Sequence, residues 1–413
     1  MSSNHLIGRT VGVAAIVGLT FGTAVGAQAP EPPVLVGRAV LPVETYLTGA
    51  GNPSAGNFFA GQTINGITFP LPGQPVEGFS AIVEGRRKGE WLAMPDNGFG
   101  NKANSGDFLI RAYYLQPDFK TAGGGTGDVV VGDHIQFSDP NGLIGFPVVR
   151  PDRRLTGGDI DPESLQVSPQ GDMWVGDEFG PWILHFDSAG RLLEAPVPLP
   201  GDLKSPSNPF VGAPANATVA GSRGIEGMGI SGKHLYPVLE GATVADLAAE
   251  GTGSRRRLMF EYDTHRGEFT GRQWVYRTES SSLFVSDVAP LDPHRLVVME
   301  RDGGRGLAAA NRKVYVVDLR EVDGDGFLVK REVLDLAAIR DPNLVSLPEI
   351  HAGDVGIGDP FRVTCESVEA IRVVDKDQVL VGCDNNIPNT GRNPALADDN
   401  EFIVVDVPTL SDR

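Results

Sequence analysis

The stretch Asp161-Pro-Glu-Ser-Leu-Gln-Val-Ser-Pro-Gln-Gly-Asp-Met-Trp-Val-Gly-Asp-Glu178 decides the fold. An acid opens a short apolar strand, a Ser-Pro-Gln-Gly turn follows, and a second strand runs into another acid. In an antiparallel hairpin the first strand begins beside the point where the second ends. Glu163 and Glu178 therefore belong at one edge of a sheet. The unit recurs as Glu226-Gly-Met with Tyr236-Pro-Val-Leu-Glu240, as Asp287-Val-Ala with Val297-Val-Met-Glu300, and as Glu366-Ser-Val with Leu380-Val-Gly-Cys-Asp384. A weaker copy without the first acid is Phe79-Ser-Ala-Ile with Trp91-Leu-Ala-Met-Pro-Asp96. The paired acids are 15, 14, 13 and 18 residues apart in the four full copies, a hairpin each time.

Successive units begin at 163, 226, 287 and 366, and each interval accommodates one four-stranded blade with variable loops. The expected fold is all-β, a β-propeller of five or six blades of about 60–80 residues. Radial stacking then brings every acidic pair to one mouth of the central channel. Five blades are visible, and the insert from Asn101 to Arg154 has room for a sixth. Val34 to Val43 lacks a hairpin of its own and is expected to close the ring as an outer strand against Phe402 to Val405. A sandwich or a pair of β domains is the alternative architecture. Short helical periodicity is confined to Val244–Glu250 and Leu334–Ile339.

Composition narrows the functional classes. The 413 residues carry 35 Lys+Arg against 53 Asp+Glu, a formal charge of -18, which argues against a nucleic-acid or anionic-membrane partner. His5 and Arg9 precede an apolar run from Val11 to Val25, and small residues follow through Ala27 and Ala29. Residues 1–29 are therefore expected to be a secretion signal, cleaved after Ala27 or Ala29, with residues 30–413 forming a single propeller domain in the periplasm or outside the cell. The apolar run is too short to span a membrane, and no later stretch approaches that length. In an exported chain, Cys365 and Cys383 are a disulfide candidate, the alternative being two buried thiols.

Four converging carboxylate pairs would repel strongly, by about 4 kcal/mol per contact at about 4 Å and an effective dielectric of about 20. They must protonate, recruit a base or bind a cation. Hard oxygen ligands in irregular geometry suit Ca²⁺ first, ahead of Mg²⁺ or Mn²⁺. The ligand pool is Glu163, Glu178, Glu226, Glu240, Asp287, Glu300, Glu366 and Asp384. Any one of these alone would read as an ordinary strand-end acid; the argument lies in their recurrence. Arg223 and Arg301, beside Glu226 and Glu300, are placed to hold phosphate oxygens, or equally to neutralise the same carboxylates. Asp323-Gly-Asp-Gly326 lacks the rest of a calcium loop and reads as a hairpin turn. His351 sits in a Gly- and Asp-rich loop and reads as an ordinary loop histidine. No nucleophile elbow, phosphate-binding Gly-rich loop or His-Glu-x-x-His motif is present.

The runs Asp161-Pro-Glu-Ser-Leu165, Trp174-Val-Gly-Asp-Glu-Phe-Gly180, Gly224-Ile-Glu-Gly-Met228, Val298-Met-Glu-Arg-Asp302 and Asp384-Asn-Asn386 together resemble the signature segments of the phytase-like esterase family. The resemblance covers roughly Phe79 to Val405. It implies a secreted or periplasmic propeller with phosphoric ester hydrolase activity, related to calcium-dependent phytases. The expectation is a metal-dependent phosphoesterase acting on a small anionic substrate, a phosphate ester. A calcium-dependent lactonase using Asn385 and Asn386 is a second expectation, and a non-catalytic calcium-stabilised scaffold a third.

Overall fold

The computed structural model describes residues 1–2, 31–251 and 253–412. The expected secretion signal falls almost wholly outside these residues. Pro32–Arg413 forms one compact unit.

Five four-stranded antiparallel sheets make a five-bladed propeller. The first blade contains Phe79–Glu84, Trp91–Pro95, Arg111–Pro117 and Val129–Gln136. The second contains Pro162–Val167, Met173–Asp177, Trp182–Phe186 and Val197–Pro198. The third contains Ile225–Ser231, His234–Leu239, Arg256–Asp263 and Glu268–Arg277. The fourth contains Phe284–Pro290, Arg295–Arg301, Arg312–Val322 and Leu328–Asp335. The fifth contains Ser367–Asp375, Gln378–Asp384, Asn400–Asp406 and, from the other end of the chain, Val34–Leu41. The insert that had room for a sixth blade instead supplies the outer half of the first.

Alternation along each strand explains the stacking. In the second blade, Met173 and Val175 pack toward the first blade, whereas Trp174 between them packs toward the third. Five buried apolar clusters result, one in each interface between neighbouring blades. The five first strands touch in a closed cycle around the axis. Among the described residues the α-helix is Val244–Glu250, capped by Thr243 and Asp246 through a reciprocal capping box. Leu334–Ile339 is not helical. Leu334 and Asp335 end the outer strand of the fourth blade, and the chain then turns so that Ile339 bridges Phe361. No helix among the described residues is long and apolar enough to cross a membrane.

Ring closure rests on the strand Val34–Leu41, paired from Val34↔Asp406 to Leu41↔Asn400. A buried ion triad locks it. Arg38 Nε lies 2.6 Å from Glu401 Oε1, and Arg392 Nη2 lies 2.5 Å from Glu401 Oε2. Cys365 and Cys383 form a disulfide across the start of the fifth blade. Because Glu401→Ala would leave two buried guanidinium groups with backbone carbonyl partners but no carboxylate, it should cost about 3–5 kcal/mol of stability in denaturant unfolding. A loss within experimental error of zero would show that the triad does not hold the ring closed.

Candidate functional site

Each first strand carries a β-bulge at the same height. Pairing with the second strand shifts between Phe79 and Ala81, Pro162 and Ser164, Ile225 and Gly227, Val285 and Asp287, and Val368 and Ala370. The extra residues are therefore Ser80, Glu163, Glu226, Ser286 and Glu369. A bulge leaves its residue outside the ladder and re-aims the side chain, here at the edge of every blade. On the second strands, one residue beyond the partner of the residue that precedes each bulge, come Asp96, Glu178, Glu240, Arg301 and Asp384. Two five-membered rings arise, one from the bulges and one from the strand ends.

Members of both rings meet in a cup of about 340 Å³, lined by nine carboxylates and two arginines, Arg223 and Arg301. Three triads offer carboxylate oxygens within 4.8 Å of one another: Asp96/Asp161/Glu163, Glu163/Glu226/Glu369 and Glu178/Glu226/Glu240. The cup has a floor. From the fifth blade, Arg372 reaches across the axis to Leu165 O at 3.0 Å in the second and to Asp287 Oδ2 at 3.5 Å in the fourth.

One nitrogen carries much of the local counter-charge. Arg301 Nη2 lies 2.6 Å from Glu369 Oε1, 3.1 Å from Glu240 Oε1 and 3.5 Å from Glu226 Oε1. Burial opposes its charge, but Glu369, Glu240 and Glu226 outweigh that and hold the guanidinium protonated. Arg223 pairs with Glu240 Oε2. Both arginines lie over the Phe284 ring, with Cζ 4.2 Å and 5.3 Å from its centroid respectively. Ser80 Oγ donates to Glu369 Oε2 at 3.0 Å, linking the first blade to this network.

Two arginines cannot neutralise nine acids. Burial first, and repulsion by neighbouring carboxylates second, push Glu163, Glu178, Glu226 and Asp384 well above the ordinary carboxylate range. Burial raises Asp96 in the same way and brings Asp161 up to about 6. Asp161 is held by Asn97, whose Nδ2 donates to Oδ1 at 2.7 Å.

Of the eight acids expected as ligands, Glu163, Glu178, Glu226, Glu240 and Asp384 fall on the two rings. The other three do not. Asp287 follows the bulge of the fourth blade by one residue and lies beneath the cup, accepting from Ile371 N at 2.9 Å. Glu300 faces away from the axis, where it takes the Tyr276 hydroxyl at 2.5 Å and pairs with Lys330. Its neighbour Arg301 occupies the ring. Glu366 stays at the rim, 3.4 Å from Arg305 Nη1. Glu369, Asp161 and Asp96 are the acids that belong beside the five. Aligning each unit on its first acid misplaced the fourth and fifth blades, because Ser286 replaces an acid there and Glu366 precedes the bulge by three residues. The bulge has its own signature, a small residue or Asp and then an apolar one, as in Glu163-Ser-Leu, Glu226-Gly-Met, Ser286-Asp-Val, Glu369-Ala-Ile and Ser80-Ala-Ile.

A family model for phytase-like proteins, described as esterase-like activity of phytase, matches residues 74–387. The chain belongs to this family. A curated "Uncharacterized secreted protein" of Arthroderma benhamiae is 27% identical over 188 residues, covering 36% of this chain. The match spans 36% of that relative's own length. Among solved structures, a GH43 β-1,3-galactosidase aligns with TM-score 0.42 and 8% identity over 86% of this chain and 59% of its own. A protein of unknown function from Dyadobacter fermentans aligns with TM-score 0.39 and 10% identity over 92% and 99%. At these scores no part of the functional reading rests on either. The phytase-like matched region starts before the inner strand of the first blade and ends just past Asp384, so it contains both rings.

The raised carboxylates fix the sign of a pH effect. A carboxyl group whose folded pKa exceeds its unfolded value favours folding least when both states are ionised. Without added cation, stability should therefore fall as pH rises from about 4, the unfolded carboxylate range, through the folded value of about 6 for Asp161. The opposite class, such as Asp318, lowered to about 2 by its hydrogen bonds from Arg320, has already contributed by pH 5. Thermal melts of chelator-treated protein should show a lower Tm at pH 8 than at pH 5, with calcium restoring it. A Tm that rises over that interval in chelator would contradict the electrostatic description of the cup.

Proposed function

We propose that the protein is an exported, metal-dependent phosphoric ester hydrolase, with calcium the preferred cation and a small anionic phosphate ester the substrate. The observation that carries this reading is a single cup that holds three carboxylate triads together with two arginines, Arg223 and Arg301, both over Phe284. The triads are hard oxygen donors at mutual distances a divalent cation can bridge, and their irregular arrangement suits Ca²⁺ better than the strict octahedron of Mg²⁺. Glu163, Glu226 and Glu369 would hold one cation, and Glu178 with Glu240 would extend the site. A cation bound there supplies Lewis-acid stabilisation of charge on phosphoryl oxygens.

The chain's own residues supply the rest. Arg301 and Arg223 offer guanidinium donors to a phosphate, and both pack against the Phe284 ring. Their positive charge is in place before the substrate arrives, so charge that develops in the transition state meets oriented donors. Membership of the phytase-like family supports a hydrolytic activity of this kind, and the secreted relative together with the Cys365–Cys383 disulfide supports export.

A lactonase remains the second reading because Asn386, whose Nδ2 has no hydrogen-bond partner among the described residues, lines the cup. Asn385 does not serve it, being committed to Gly78 N and Asp398 O. Release of phosphate from aryl and alkyl phosphate esters, measured beside lactone opening, decides between the two. Under the hydrolase reading, chelator abolishes phosphate release and calcium restores it. Glu226→Gln loses it, and Arg301→Met lowers kcat by about 10²–10³-fold, the usual effect of removing one oriented charge-stabilising donor. Phosphate release unchanged by both chelator and Glu226→Gln would refute the reading.

A further inference from the structure

We infer that the organic group of the substrate is aromatic and rests on a ledge beside the cup formed by Phe146, Phe210 and Lys102, an inference that takes the phosphoester reading of the cup as its premise. The cup itself offers such a group little. Phe284 is the one apolar side chain among the residues that line it, and two guanidinium groups already lie over that ring. An ester whose phosphate engages the cup therefore finds little apolar surface for its organic part within that lining. Three chain segments lead from the lining to the ledge. Gly100 lines the cup, and Lys102 is two residues on. Glu178 lines it, and Phe179 and Gly180 follow. Ser222 and Arg223 line it at the end of the loop that carries Phe210. That loop is fastened to the Glu178 segment by buried side chains. Ser205 Oγ donates to Phe179 O at 2.5 Å, Asn208 Nδ2 donates to Gly180 O at 2.7 Å, and Phe210 N donates to Asn208 Oδ1 at 2.8 Å.

Phe210 is 57% exposed, yet its ring is seated. Its centroid lies 6.1 Å from that of Phe146 and 6.4 Å from that of Trp182, and Phe146 stacks on Trp182 at 5.7 Å. A Cβ at Gly145 would lie 3.4 Å from Phe210 Cζ, so the ring also rests against the backbone there. Asp139 fixes the segment that delivers Phe146, accepting from Leu143 N at 2.8 Å and from Ile144 N at 2.9 Å. A ring held on one side and exposed on the other is preorganised for an aromatic guest, because edge-to-face contact adds to the gain from buried area. Lys102 Nζ stands 5.4 Å from the Phe146 centroid and 5.5 Å from the Phe179 centroid. Its charge reaches Asp159 and Asp177, but it forms an ion pair with no carboxylate among the described residues. Such an ammonium can meet the face of a guest ring, and it can draw in an anionic ester that a chain of formal charge -18 otherwise repels.

Phenylphosphonate and methylphosphonate are stable analogues that share the anion and differ in the organic group. Their affinities for the full chain with calcium present, measured by calorimetry, should favour phenylphosphonate. Phe210→Ala is expected to weaken phenylphosphonate by about 2–10-fold, the range of one aromatic pair, and to leave methylphosphonate unchanged. Phe210→Tyr is expected to keep the preference of the unmodified protein. Lys102→Met is expected to weaken both probes, since both carry the charge that Lys102 attracts. Equal affinities for the two probes, equal losses in Phe210→Ala, or no loss in Lys102→Met overturn the ledge and leave the hydrolase reading standing. Binding of neither probe refutes that reading, and the ledge falls with it.

Discussion

Like charges forced together by backbone geometry are the constraint on which the rest of this propeller depends. The five bulges put an extra residue at the same height in each inner strand, and three of those residues are glutamates. A bulge is not a side chain that can turn to solvent at little cost. It is a break in a ladder, held by the pairing on either side. Glu163, Glu226 and Glu369 are therefore pointed at one another by strands that are themselves buried in five apolar interfaces. The apolar clusters must supply enough stability to tolerate the repulsion, and the ends of the chain must not open under it.

That requirement gives meaning to the ring closure. In a propeller whose final blade is completed by an N-terminal strand, separation of the chain ends would release the strain between blades directly. Here the N-terminal strand is secured by ladder pairing along its full length and by Arg38–Glu401–Arg392. Glu401 shows how differently a buried acid behaves when it is paired. Burial would raise it, but Arg392 and Arg38 outweigh burial and hold it low. Glu163, Glu178, Glu226 and Asp384, with too few bases among them, are shifted the other way. Two kinds of buried acid thus coexist in one chain, one fastening the fold and the other loading it.

Much of this was legible in the residues, and the limits were physical. The hairpin unit around Glu163 and Glu178 recurs often enough to imply a propeller, and Val34–Leu41 announced itself as a closing strand by lacking a hairpin partner. The acids at the ends of second strands were readable because each closes a short apolar run. The bulge was harder. It adds one residue without altering composition, so period-2 alternation slips unnoticed, and in the fourth blade the eye moves to Asp287 when the ring position is Ser286. The same slip exchanges Glu300 for Arg301, reversing the sign of the charge assigned to that corner.

The fourth blade breaks the pattern in both rings, with Ser286 where three other blades place a glutamate and Arg301 where the other blades place an acid. This asymmetry sets a base among the acids of the cup. Arg301 is bound by Glu226, Glu240 and Glu369, two of which also belong to the Glu163/Glu226/Glu369 triad. A cation entering that triad competes with Arg301 for its partners, and an anion that engages Arg301 leaves those partners to the cation. Two ligands of opposite charge that relieve each other's competition at one residue must bind with positive coupling, and linkage requires the effect to be equal in both directions. On this geometry the proposed metal and anionic substrate would not be independent occupants of the cup, and the residue coupling them would be Arg301, the one base the propeller places in its acidic rings.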